Sequence, residues 1–389
     1  MNRVLILDAC QRSALAVTRS LGRQNIFMVT ADETPTALAG CSKFSAIYST
    51  YNSPRTMPDK FIHPVGNMIE KWNIQLVIPM TELTSMLLLE NQSSLPDVIL
   101  PFANIKSVNF LADKISLMHL AQSLNVPTPK SWFIDDPLDI SLNLDELPYP
   151  VVLKPAKSWL YSNNRWFRRS VKYANTPLSI EKILNTDPAF THPFMIQEVV
   201  QGSGKGIFAL YNHGKAVAFF AHHRIREKPP HGGVSVLSES VKCDPELLKY
   251  AKSLLDEADW HGVAMVEFKG VDGKTPYLIE INTRFWGSLQ LAVDCGVDFP
   301  WLLYQISSGK PVTRTDSYKT GARLRWLLGD VDNLYLTLRD NRYSNRNKLT
   351  AILNFISPSP LKTRHEVNRW SDSGPFWWEI KKYVQDIIH

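Results

Sequence analysis

Among its 389 residues the chain has only four cysteines, Cys10, Cys41, Cys243 and Cys295, and they are widely scattered. That scarcity excludes a disulfide framework, and no pair has the spacing of a zinc site. No run approaches the ~18 apolar residues of a membrane span. The start, MNRVLILDAC, is too short in its apolar part for a signal peptide, and Asp8 interrupts it. A cytoplasmic protein with reduced, buried thiols is the expectation. The turn after the first apolar run, DACQRS, lacks glycine. The G-x-G-x-x-G fingerprint of a dinucleotide site is therefore absent. Glycine is also missing between residues 151 and 201. Nor is there a Ser/His/Asp or Cys/His signature of covalent catalysis.

What is present is the composition of a soluble globular protein, 44% apolar and 21% charged. The length suits two or three domains with substantial cores. A net charge of +6 is modest for this size, and no nucleic-acid partner is expected. The basic excess is local. From Arg339 to Arg369 seven Lys/Arg (339, 342, 346, 348, 362, 364, 369) face two acids, Asp340 and Glu366. A solvated face accounts for such a run, and a surface for phosphates or other anions is the alternative.

Residues 3 to 7 read as a buried strand, and apolar positions 14, 17 and 21 predict a helix from Arg12 that stops at Gly22. Further strands are expected at Ile26 to Thr30 and Gln75 to Pro79, giving a parallel sheet of Rossmann type. This unit should end near residue 105. A helical period then runs from Leu111 to Leu124 and stops before Pro127. Strands at Val151 to Lys154 and Phe194 to Glu198, with a hairpin through 211 to 217, imply α+β organisation in the middle. The final segment, PFWWEIKKYVQDIIH, places Trp377, Ile380, Val384 and Ile387 on one helical face, with Pro375 suited to the first turn. A docked helix is expected there.

One stretch raises a chemical question. In MVEFKGVDGKTPYLIEINTR, two apolar runs flank a turn made of Gly270, Asp272 and Gly273. Each run carries one carboxylate, Glu267 or Glu280, although acids are depleted in strands and costly to bury unpaired. Alternation puts Glu280, Asn282 and Arg284 on one face, and a matching register brings Glu267 alongside. Two carboxylates and an amide oxygen suit Mg²⁺, which takes oxygen ligands and completes its shell with water and phosphates. The metal would keep both acids ionised, and Arg284 would lie within reach of the same phosphates. A surface hairpin with Glu–Arg pairs remains the alternative at this point.

The neighbouring motifs resemble those of the ATP-grasp superfamily, from about residue 105 to 310. The glutamate strand followed by E-I-N-T-R at 280 to 284 is similar to the family's metal strand. The resemblance implies that Glu267, Glu280 and Asn282 hold Mg²⁺ (or Mn²⁺) against ATP phosphates. It implies further that Arg284 stabilises an acyl-phosphate transition state. Asp113-Lys114 and VVLKP, with Lys154, resemble the two nucleotide-contacting lysines. FMIQEVVQGSGKG resembles the hinge whose acid and backbone bind adenine, here Glu198 and Val200. The segment HHRIREKPPHGG resembles that of a poorly characterised subgroup of carboxylate–amine ligases related to the carbamoyl-phosphate synthetase large subunit. There Arg224 and Arg226 are suited to an anionic substrate, with Arg226 a catalytic candidate.

The departures are informative. The region after Lys154 has no glycine-rich lid, but has Trp159, Trp166, Arg165, Arg168 and Arg169, and no acid occurs between Glu146 and Glu181. A lid that contacts phosphates through side chains is the expectation.

The fold class expected is α/β and α+β. A Rossmann-like pre-ATP-grasp domain (1–105) precedes a two-subdomain ATP-grasp core (106–310), whose lysine-bearing part ends near 190. A small C-terminal extension (311–389) follows. The activity implied is ATP- and Mg²⁺-dependent amide formation between a small-molecule carboxylate and an amine through an acyl phosphate. An ATP-grasp phosphotransferase and a non-catalytic nucleotide-binding protein are the alternatives. Relatives often form homodimers, although the sequence marks no interface.

Overall fold

Val4 to Leu7, the apolar run near the start, are all fully buried. A computed structural model of the chain describes residues 1–137, 142–271, 273–314, 317–356 and 363–388. The chain begins β1 (Arg3–Ile6), α1 (Arg12–Arg23), β2 (Phe27–Asp32), β3 (Ile47–Thr50), α2 (Ile62–Trp72), β4 (Leu76–Ile78) and α3 (Glu82–Glu90). Its four strands form a parallel sheet in the order β3-β2-β1-β4. Both faces are covered, as a parallel sheet requires. Val4 and Ile6 join one apolar cluster, while Leu5 and Leu7 join another on the opposite side.

Two local expectations change here. The helix does not stop at Gly22 but continues to Arg23. A Cβ at Gly22 would lie 2.5 Å from the Phe44 Cβ, so this glycine permits close packing and does not end the helix. Strand β3, which the sequence reading lacks, forms the sheet edge.

The middle of the chain follows as α4 (Ile105–Ala112), α5 (Lys114–Ser123), β5 (Ser131–Ile134), β6 (Val151–Pro155), β7 (Trp159–Ser162), β8 (Arg165–Arg168), β9 (Lys172–Ala174), α6 (Pro177–Thr186) and β10 (Phe194–Glu198). The single helix expected from Leu111 is two helices divided at Asp113. Its backbone is extended, and its Oδ1 accepts from the Ile115 and Ser116 N–H groups, both at 3.0 Å. This N-cap starts a new helix at Lys114. Strands β5, β10, β6 and β9 form an antiparallel sheet, and β7–β8 is a separate two-stranded ribbon.

The remainder is β11 (Ser203–Asn212), β12 (Lys215–Lys228), β13 (Val234–Val241), α7 (Pro245–Glu257), β14 (Gly262–Gly270), β15 (Tyr277–Asn282), α8 (Leu289–Asp294), α9 (Phe299–Ser307), β16 (Arg323–Arg325), α10 (Leu327–Arg339), α11 (Asn345–Ile356), β17 (Thr363–His365) and α12 (Gly374–Ile388). A seven-stranded sheet runs β15-β14-β11-β12-β13-β16-β17, so the last eighty residues contribute two strands to it. Phe208, Phe220 and Met265 pack toward the N-terminal sheet, whereas Ile207, Ala209 and Val266 pack toward α5 and α7.

Helix α12 docks, but not by the face read from the sequence. Trp377, Val384 and Ile387 are 64%, 47% and 69% exposed. The neighbouring face is the anchored one. Trp378 packs on the core, the Glu379 carboxylate accepts from Trp326 Nε1 at 2.6 Å, and Tyr383 OH donates to Asp332 at 2.5 Å. Much of the basic C-terminal run is paired. Arg342 binds Asp340, and Arg364 and Arg369 both reach Asp294. Lys362 lies outside the described residues. The buried Arg19 guanidinium on α1 donates to Asp372 Oδ2 (2.7 Å) and to the carbonyls of Glu366 (2.8 Å) and Val367 (2.9 Å). No helix among the described residues is long and apolar enough to cross a membrane.

Candidate active site

The hairpin β14–β15 sets Glu267 directly opposite Glu280 and Met265 opposite Asn282. Opposed residues share a face, so both carboxylates and the Asn282 amide project to one side. Gly270 ends β14 and is not part of the turn expected from the sequence, Gly273 lies in that turn, and Asp272 lies outside the described residues. A bulge falls between Glu267 and Phe268. The side chains are linked. Asn282 Nδ2 donates to Glu280 Oε1 at 3.2 Å, and Arg284 Nη2 donates to Asn282 Oδ1 at 3.3 Å. On the neighbouring side, Arg224 of β12 pairs with Glu267 Oε2 at 2.8 Å and with Glu227 at 3.1 Å.

Two lysines approach from the other elements. Lys114, the first residue of α5, donates its Nζ to Ser158 Oγ at 3.2 Å. Lys154 on β6 is only 8% exposed and donates to Gln197 Oε1 at 2.6 Å. Burial pushes its ammonium down to about 8, although Glu280 opposes the shift. Burial also pushes the Glu280 carboxyl up, but Lys114, the Asn282 amide and Lys154 together hold it below the ordinary value. Glu267 goes the other way: burial raises it and Arg224 only partly compensates. The two acids are therefore unequal, one held charged by the lysines and one dependent on a single arginine. An all-oxygen set of Glu267, Glu280 and Asn282 fits a hard divalent cation that keeps several waters or phosphate oxygens. Among the described residues no group of three or more His, Cys, Asp or Glu forms a rival metal site.

A residue from the N-terminal sheet completes the cluster. Glu82 begins α3, and with Lys114, Ser158, Glu280, Asn282 and Arg284 it bounds a cavity of about 20 Å³. Burial raises the Glu82 carboxyl, against the pull of Lys114 and Arg284. Nothing local marks Glu82 in the sequence, because only the docking of α3 against α4 brings it here.

This cluster opens into a cleft of about 1830 Å³ that reaches from the strand ends of the N-terminal sheet to α11. Lys114, Arg224, Glu267, Glu280, Asn282 and Arg284 all line it. Arg226 lines it too, but its guanidinium fork is closed on Asp330, with both contacts at 2.6 Å. Arg224 is therefore the β12 arginine that meets the carboxylates. Glu198 sits at the end of β10, where its carboxylate accepts from the Lys130 N–H at 3.0 Å, and Val200 follows in the next loop. Neither lines this cleft.

Comparison with known proteins finds relatives of the fold. The family described as ATP-grasp in the biosynthetic pathway with Ter operon matches residues 190–329, a span that includes both carboxylate strands. The biotin carboxylase of Campylobacter jejuni, solved as an ATP-analogue complex, superposes with a TM-score of 0.65 at 14% identity, over 82% of this chain and 74% of that one. The chain has the fold of the ATP-grasp proteins. The N5-carboxyaminoimidazole synthetase of Staphylococcus aureus shares the ATP-grasp fold with a TM-score of 0.64 at 13% identity, over 88% of this chain and 86% of that one. The L-amino acid ligase of Bacillus licheniformis gives 0.58 at 15% identity, over 82% and 76%. Among curated proteins none matches. The ATP-grasp likeness thus rests on the fold and on residues 190–329, which include both carboxylate strands.

Proposed function

We propose that the protein is an ATP-dependent carboxylate–amine ligase that works through an acyl phosphate. The in-register pairing of Glu267 with Glu280, with Asn282 beside them, supports this reading most directly. Glu267, Glu280 and Asn282 would hold Mg²⁺, which supplies positive charge to the phosphate oxygens when bound. Lys114 and Lys154 donate to those phosphates as charge-assisted partners. Arg284, held beside Asn282, presents its fork to the phosphoryl group in transfer. Glu198 and the Val200 backbone are assigned to adenine at the hinge between the sheets. Arg224 is assigned to the anionic substrate, while Arg226 braces β12 against α10 through Asp330.

In the first step a substrate carboxylate oxygen attacks the γ-phosphorus and ADP leaves. In the second, the amine attacks the acyl carbon, loses a proton, and phosphate leaves. No enzyme nucleophile is required. Positioning and electrostatic stabilisation supply the rate. The test is phosphate release from Mg-ATP, screened against mixtures of carboxylic acids and amines. Release that needs both partners supports ligation. ADP with a stable phosphorylated product indicates a phosphotransferase instead, and tight ATP binding without turnover indicates a non-catalytic protein.

A further inference from the structure

The ribbon β7–β8 pairs Trp159 with Arg168, Tyr161 with Trp166 and Ser162 with Arg165. Cross-strand partners share a face, so Trp159, Tyr161, Trp166 and Arg168 lie on one side and Leu160, Ser162, Arg165 and Phe167 on the other. The first side is anchored by its two tryptophans, while Tyr161 and Arg168 on the same side are exposed. Trp159 and Trp166 pack on the apolar cluster of the N-terminal sheet, and the Trp166 N–H donates to the Arg55 carbonyl at 2.8 Å. Phe167 on the outer side is 49% exposed.

The three arginines of this segment therefore differ. Arg165 faces outward. Arg169 is bound at the root of the ribbon: its N–H donates to the Ser158 carbonyl at 2.8 Å and its Nη1 to the Ala189 carbonyl at 3.4 Å. Arg168 is exposed on the side that carries the tryptophans and lines the cleft, with no side-chain hydrogen bond or ion pair among the described residues. Its place relative to the phosphate-binding groups is fixed by Ser158. That residue receives Lys114 Nζ on its hydroxyl and Arg169 N–H on its carbonyl.

We infer that Arg168 closes over the terminal phosphates of the nucleotide with its side chain, where this chain has no glycine-rich backbone loop. The inference rests on the nucleotide-site reading given above. Nine Lys/Arg line the cleft, Lys114, Arg168, Arg224 and Arg284 among them, against seven Asp/Glu. Cations outnumber acids, and a cleft with that balance concentrates anions. Like charges so placed are relieved by a phosphate between them. An arginine fork offers two convergent donors to a phosphate and replaces the N–H pair of a backbone loop.

Calorimetric binding of Mg-ATP, Mg-ADP and AMP to the full chain and to the variants Arg168→Ala, Arg168→Lys and Arg165→Ala tests this. Arg168→Ala should weaken Mg-ATP by ~10-fold or more and leave AMP unchanged, with Arg168→Lys between. Arg165→Ala should bind like the unaltered protein. Mg-ATP binding unchanged in Arg168→Ala overturns the inference. An equal loss for AMP overturns it as well, since it marks a general disturbance of the ribbon. If the unaltered protein binds no Mg-ATP, the nucleotide-site reading itself falls, and the two failures are thereby distinguished.

Discussion

Two hairpins in this molecule handle charge in opposite ways. In β14–β15, acids sit on the edge strand of a seven-stranded sheet and on its neighbour, and each has a cation or amide against it. In β7–β8, a ribbon paired with no other strand carries arginines and no acid, and neither Arg165 nor Arg168 has a side-chain hydrogen bond or ion pair among the described residues. The first arrangement is stable before any ligand arrives, because the surrounding lysines and Arg224 hold the carboxylates in place. The second holds a surplus of positive charge until an anion arrives. On the proposed reading, a site built from both halves is fixed where Mg²⁺ would be held and adaptable where the nucleotide phosphates would enter.

Removing charge from the rigid half should have the largest effect. Glu280→Gln keeps the side-chain volume and loses the carboxylate that the lysines hold ionised. Turnover of ATP should fall on the order of 100-fold or more, with an unchanged circular dichroism spectrum. Unchanged phosphate release at saturating Mg²⁺ would remove Glu280 from the metal set.

Next comes Lys154. Lys154→Ala should raise the Mg-ATP dissociation constant by ~10-fold, since a charge-assisted contact contributes about 1.5–3 kcal/mol. The exposed Lys157 nearby should matter far less when changed to Ala. Burial holds the Lys154 ammonium at about 8, so its charge is present below that pH and lost above it. Mg-ATP affinity in the unaltered protein should therefore decline as pH rises through 8, and this component should vanish in Lys154→Ala.

The contrast in rigidity can be measured by hydrogen exchange. Amides of 262–270 and 277–282 should exchange slowly and those of 159–168 faster, since an isolated two-stranded ribbon is marginal in water. Trp166→Ala should accelerate exchange across 159–168 several-fold and leave the other hairpin unchanged. Equal acceleration in both would mean that they unfold as one unit.

The smallest effect lies away from the cleft. Burial pushes the Glu379 carboxyl up to about 7, eased by its bond from Trp326 and aggravated by Glu366. A carboxyl raised in the folded state holds its proton more tightly there than in the unfolded chain. Its stabilising contribution is therefore present at low pH and is lost as pH rises through 7. Glu379→Gln should raise the melting temperature by a few degrees at pH 8, with the difference closing near pH 5.

How much of this was legible depended on distance along the chain. The paired carboxylates of β14–β15, the positions of Lys114 and Lys154, and the Rossmann-type opening follow from alternation, turn chemistry and short motifs, all of which lie within a few residues. Glu82 was invisible because it reaches the site only through helix docking. Gly22 was misread because its reason is Phe44, twenty-two residues away. The α12 face was misassigned for a related cause. Its most apolar stripe points outward, while Trp378, Glu379 and Tyr383 find particular partners in Trp326, Asp332 and the core. Arg226 looked free as a sequence neighbour of Arg224, yet it meets Asp330 about a hundred residues later.

The fixing of Arg19 by Asp372 also has a consequence for biosynthesis. The two are 353 positions apart, and the guanidinium is buried at the centre of their contact. At a translation rate of ~5–20 residues per second, Asp372 follows Arg19 after roughly 20–70 s. Throughout that interval the first helix carries a cation whose acceptors do not yet exist, so α1 must wait partly open on the ribosome. The earliest segment made is thus among the last to settle, and a chain released before Asp372 would leave a charge that the N-terminal sheet cannot bury.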